Sequence, residues 1–206
     1  MEQFSLYPAT LTLIAVNVAA SVFGWSNPQF QAANMFHVGP IRQNREYHRM
    51  LTSGFLHVGV FHLLINMFVL FQFGATIEYS VGTTNFLIIY FASLVGGSLW
   101  AYLENFRNPD YRAVGASGAV SGVLLAYCLF WPFSLLYIFM IIPMPAVLFA
   151  VLFILISATL AGRENRIIGH EAHIGGALFG LVMTMIVVPD SLGIFAGQIA
   201  ALFGGS

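Results

Sequence analysis

The chain has 206 residues, of which 59% are hydrophobic and only 7% charged, and its formal net charge is −1. A soluble domain carries roughly 25% charged residues, so these figures, with a mean hydropathy of +0.85, exclude a water-soluble globular protein and indicate a membrane protein. The basic residues are seven Arg scattered over three loops, with no Lys, which leaves no basic patch and excludes nucleic acid as a partner.

A helical span takes about 20 apolar residues, and the hydrophobic runs supply six in chain order. The first, 7–25, lacks a basic n-region and a small-residue cleavage site, so it reads as a retained span. The loop 26–48, with Pro28, Pro40, Arg42, Arg45 and Glu46, is long enough to fold into local structure of its own. Span 2 follows at 53–79 and span 3 at 84–104, with Trp25, Tyr79 and Tyr102 as interface anchors. After a polar loop, span 4 runs over 116–131 and stops at Trp131-Pro132. Pro143 and Pro145 interrupt the next run, so span 5 covers 143–160 and 133–142 is too short to cross. The polar loop 163–169 precedes span 6 at 170–188, and the tail 191–206 is apolar but too short to span. The expected fold is an all-α membrane protein, a six-helix bundle forming a single integral membrane domain over 1–206, without internal repeats. The lone cysteine, Cys128, lies inside an apolar run and reads as packing.

Helices in such a bundle alternate direction, so spans 2, 4 and 6 start from the same membrane face. Ser117 then falls in the first turn of span 4, His173 in the first turn of span 6, and His62 with Asn66 two to three turns into span 2. Gly118 and Gly122 make a small-residue stripe on span 4, and Gly176 and Gly180 another on span 6, a pattern that lets helix backbones approach closely. That approach brings the imidazole of His173 toward the hydroxyl of Ser117. A Ser hydroxyl is a weak nucleophile until a nearby base takes its proton, so a Ser-His dyad capable of acyl transfer is the chemistry to expect. His62 and Asn66, at i and i+4, can aim donors at one point, and the Ser117 amide is unpaired at a helix N-terminus, so these three can form an oxyanion site. Glu171 is two residues from His173 and points elsewhere on a helix; His57, five residues from His62, falls off its face and is left out of the site. No cofactor or metal is called for.

Gly115-Ala116-Ser117-Gly118, Ala172-His173 with Gly176 and Gly180, and His62 with Asn66 resemble the motifs of the rhomboid family of intramembrane serine proteases. Gly74, Glu78 and Gly82 look like that family's G-x-x-x-E-x-x-x-G, and the match extends over nearly the whole chain in order and spacing. The resemblance implies a six-helix rhomboid-like bundle, a water-filled cavity, and cleavage of transmembrane protein substrates near small, helix-breaking residues, with span 5 as a lateral gate. It departs from the family where a first-loop Trp-Arg pair reads His48-Arg49, and where a Tyr four residues after the nucleophile reads Ser121. Glu78 and Arg49 read as structural.

His170-Glu171-Ala172-His173 looks like a clipped zinc-protease motif, but that motif needs histidines at i and i+4, and position 174 is Ile. A channel or transporter with a His-, Ser- and Asn-lined cavity is the alternative from another class, and an inactive rhomboid-like binder of membrane proteins is a third. The arginines of loops 1, 3 and 5 would place those loops in the cytoplasm. The resemblance instead implies a multi-pass protein of a prokaryotic plasma membrane with its site opening to the extracytoplasmic side.

Overall fold

The computed structural model describes residues 7–138, 142–160 and 169–203. The chain folds as a helical membrane protein. Among the described residues, four helices are long and apolar enough to cross a membrane: α1 (Pro8–Ser26), the segment Val60–Val81, α7 (Thr83–Glu104) and α10 (His170–Val187). The shorter helices α8 (Ser117–Phe130), α9 (Ala146–Leu160) and α11 (Ser191–Phe203) complete the bundle, an arrangement consistent with the expected six spans. The loop 163–169 and its two arginines lie, except for Gly169, outside the described residues.

Apolar side chains lie on the outside of the bundle as well as in its core. Phe61, Ile65, Phe68, Val182 and Ile186 face outward, as suits helices whose surroundings are hydrocarbon, and polar Thr10, Asn17, Ser93 and Thr184 are buried inside. The apolar core packs α1, α7 and α8 around Leu70, Ile77, Phe86 and Tyr90. At its edge, Glu78 is 2% exposed and closes the start of α1: its carboxylate accepts Ala9 N at 2.9 Å, Thr10 N at 2.7 Å and the Thr10 hydroxyl at 2.8 Å, and takes the Thr83 hydroxyl at 2.8 Å. A carboxylate at a helix N-terminus satisfies otherwise unpaired amides and opposes the positive end of the helix dipole.

The second apolar run, read from sequence as one span from Ser53, starts as a helix only at Val60. Ser53–Phe55 is a 3-10 turn and Gly59 is extended, so the stretch before Val60 forms a loop; α5 (Val60–Val69) then continues through a π segment, Leu70–Gly74, into α6 (Ala75–Val81). Gly82, at φ +83, turns the chain directly into α7. The long first loop contains α2 (Pro28–Asn34), strand β1 (Phe36–His37), α3 (Val38–Asn44) and α4 (Arg49–Thr52). Buried Arg49 is its hub, pairing with Glu46 at 2.6 Å and donating to the Ala32 and Met35 carbonyls at 2.7 and 3.0 Å. Strand β1 pairs antiparallel with β2 (Arg112–Ala113), which ties this loop to the one before Ser117. On the other side of the bundle, where an apolar stretch too short to cross was expected, strands β3 (Leu135–Ile138) and β4 (Ile142–Pro145) form a hairpin leading into α9.

Candidate functional site

Three glycine contacts set the distances within the site. A Cβ on Gly176 would collide with the Gly118 carbonyl, one on Gly180 with the Gly122 Cα, and one on Gly122 with the Ser93 hydroxyl, so α7, α8 and α10 meet at backbone contact. Ser117 is the first residue of α8 and His173 the fourth of α10. Their side chains meet: His173 Nε2 lies 2.7 Å from Ser117 Oγ, with His173 8% exposed. This is the distance at which an imidazole can take a hydroxyl proton.

Gly115 holds the turn before Ser117 at φ +137, a backbone region that side chains rarely adopt. A Cβ there would also stand 2.7 Å from His62 Cε1 and 3.5 Å from Ser117 Oγ, so the His62 ring lies directly over this turn beside the serine oxygen. Since α5 starts at Val60, His62 is in a first helical turn, shallower than the two to three turns read from sequence. Asn66 is buried one turn further along and spends one amide hydrogen on the His62 carbonyl at 2.9 Å, leaving its second N–H for another acceptor. The amides of the first turn of α8 have no partner within their own helix. Among the described residues, the His62 ring thus lies near the turn that carries Ser117, with Asn66 one helical turn beyond it.

His57 is the residue that sequence reasoning left out. Helical spacing put it off the face of His62, yet residues 56–59 are not helical, so that spacing does not apply. Its fully buried ring contacts the His62 ring at 5.0 Å, its Nδ1 lies 2.9 Å from the Ser21 hydroxyl, and the Ala116 amide donates to its Nε2 at 3.5 Å. Trp25 donates to its carbonyl at 2.7 Å. The signal that could have found it is the pair Gly54 and Gly59, which flank His57 and argue against continuous helix.

Glu171 does not aim at His173; it accepts the Tyr111 hydroxyl at 2.8 Å. Burial and the negative charge of Glu171 push the Tyr111 phenol well above its ordinary pKa, so it stays a proton donor. This bond fastens the loop before Ser117 to the start of α10. Ser121 is likewise turned onto its own helix, donating to the Ser117 carbonyl at 2.5 Å. Among the described residues, the His170 ring lies beside His173, 5.3 Å away and edge-to-face at 83°.

The chain matches the rhomboid domain model over residues 44–190, a stretch containing Ser117, His173, His62 and Asn66. It is 30% identical over 185 residues to the RHOMBOID-like protein 12, mitochondrial, of Arabidopsis thaliana, covering 81% of this chain and 54% of that protein. It is 34% identical over 140 residues to the Presenilin-associated rhomboid-like protein A, mitochondrial, of Danio rerio, covering 64% and 35%. The Homo sapiens Presenilin-associated rhomboid-like protein, mitochondrial, is 33% identical over 138 residues, covering 64% and 36%. The chain therefore spans about half or less of the length of these relatives. Their mitochondrial designations overturn the expectation of a prokaryotic plasma membrane, which rested on analogy with bacterial members of the family.

Proposed function

Since the chain belongs to the rhomboid family, we propose that it is an intramembrane serine endopeptidase acting on transmembrane helices of other proteins, in a mitochondrial membrane. The observation that carries the reading is the 2.7 Å contact between Ser117 Oγ and His173 Nε2 at the lip of the bundle. Ser117 Oγ attacks the scissile carbonyl carbon while His173 Nε2 takes its proton. The carbonyl oxygen becomes an oxyanion that accepts from the Ser117 amide, His62 and Asn66, and such donors act most strongly where water is scarce. His173 returns the proton to the leaving amine nitrogen as the C–N bond breaks, leaving an ester on Ser117. Water, deprotonated by His173, then hydrolyses the ester and regenerates the hydroxyl. No metal or cofactor enters this cycle, and the 206 residues act as one membrane domain.

The test is reconstitution in liposomes with a model transmembrane substrate, combined with labelling by a fluorophosphonate. Cleavage and labelling in the wild type, both abolished by Ser117→Ala, support the reading. A wild type that neither cleaves nor labels, yet retains a substrate helix in pull-downs, would favour a non-catalytic binder. Ion or solute flux surviving Ser117→Ala would favour a channel or transporter.

A further inference from the structure

We propose that His170 is a positioning residue for His173: its ring packs edge-to-face against the His173 imidazole and fixes the plane in which Nε2 meets the Ser117 hydroxyl. The inference rests on the serine protease reading and deepens it. Residues three apart share a helix face, and helical side chains lean back toward the N-terminus, so the His173 ring inclines over the turn that carries His170. The contact follows: ring centroids 5.3 Å apart and planes at 83°.

The platform under that contact is rigid. A Cβ on Gly169, the residue before α10, would stand 3.0 Å from the Tyr111 hydroxyl and 3.2 Å from the Ala113 Cβ, so the entry to α10 is pressed against the loop before Ser117. On the other sides, the Ala172 carbonyl would be 2.5 Å from a Cβ on Gly97 and 3.2 Å from one on Gly118. The first turn of α10 thus cannot rotate without backbone collision, and His170 is held where it is. Across the site, the residue one turn after the nucleophile is Ser121, whose hydroxyl bonds its own helix at the Ser117 carbonyl, so α8 offers no ring to this imidazole. The ring comes from within α10 itself. An aromatic contact of this kind is worth little in stability, but orientation errors in a proton-transferring group are read directly in the rate.

The experiment compares wild type, His170→Ala, His170→Leu and His170→Phe in liposomes, measuring kcat and KM on one transmembrane substrate, the rate of fluorophosphonate labelling of Ser117, and thermal unfolding in detergent. Leu fills the volume without an aromatic face, and Phe restores the face without a titratable nitrogen. The expected result is kcat lowered roughly five- to tenfold in Ala and Leu with labelling slowed in parallel, KM within about twofold, and most of the rate regained in Phe. Wild-type kcat in Ala or Leu, or a Phe variant as slow as Leu, would overturn the inference while leaving the protease reading intact. A wild type inert to both substrate and fluorophosphonate would instead sink the protease reading and this inference with it.

Discussion

Ser117 and His173 are 56 positions apart in the chain, and their reactive atoms are 2.7 Å apart in the fold. The two sit on different helices whose backbones touch, so neither side chain has to reach far. If they act as nucleophile and base, the loss of either should be nearly as damaging as the loss of both. Ser117→Ala, His173→Ala and the double variant are each expected to lower turnover by at least roughly 10³-fold, far from multiplicatively. Their unfolding temperatures should stay near wild type, because the contact is one hydrogen bond among many.

Removing a donor from the site should be milder. His62→Ala is expected to reduce kcat about 10²- to 10³-fold with little change in KM, as loss of an oxyanion donor does in acyl transfer. A KM increase with unchanged kcat would assign His62 to substrate binding instead.

The glycines between α8 and α10 are expected to tolerate no side chain. Gly176→Ala directs a methyl into the Gly118 carbonyl and should destabilise the fold by roughly 3 kcal/mol, whereas Gly193→Ala, with nothing within 4 Å, should be silent. Thermal unfolding of the two variants in the same detergent makes the comparison.

Glu78 gathers four donors from α1 and α7 in a buried position. Glu78→Ala strands the Ala9 and Thr10 amides and should cost about 3 kcal/mol, since hydrogen bonds to charged groups are the strong ones and buried unpaired amides are costly. Partial recovery in Glu78→Gln, measured by unfolding, would separate hydrogen bonding from charge.

Burial first, then the charges of Arg112 and Arg49, hold the His37 pKa below its ordinary 6.5. The folded chain therefore binds this proton less readily than the unfolded one. The associated stability is fully present above about pH 6.5 and is lost as the pH falls from there through the lower folded-state value. The unfolding temperature should drop between about pH 7.5 and 5.5, and His37→Asn should make that drop smaller. An identical drop in the variant would assign the pH response to other groups.

Hydrophobic runs of bilayer length are a local property, and so α1, α7 and α10 could be read from composition almost to their ends: 7–25 against Pro8–Ser26, 84–104 against Thr83–Glu104, 170–188 against His170–Val187. The meeting of Ser117 with His173 was also legible, because helix direction and two glycine stripes are written in the spacing of residues. The stretch 53–59 was not. Gly54 and Gly59 argue against a continuous helix there, but its contacts decide that it forms a 3-10 turn and loop: Ser53 O accepts the Gly115 amide, Phe55 O accepts the Ser21 hydroxyl, and Gly54 leaves no room beside Leu94. That local choice moved His62 to a first helical turn and turned His57 into its neighbour.

Chemistry-bearing residue types and the helices that carry them were thus determined by sequence, since both follow from local pattern and the hydrocarbon solvent. Which groups meet across elements was decided only by tertiary packing. Glu171 goes to Tyr111, and the Ser21 hydroxyl lies against His57 Nδ1. The physical reason is that a side chain's partner depends on how close two backbones come, and at α7, α8 and α10 that distance is set by glycine contacts between segments far apart in the chain.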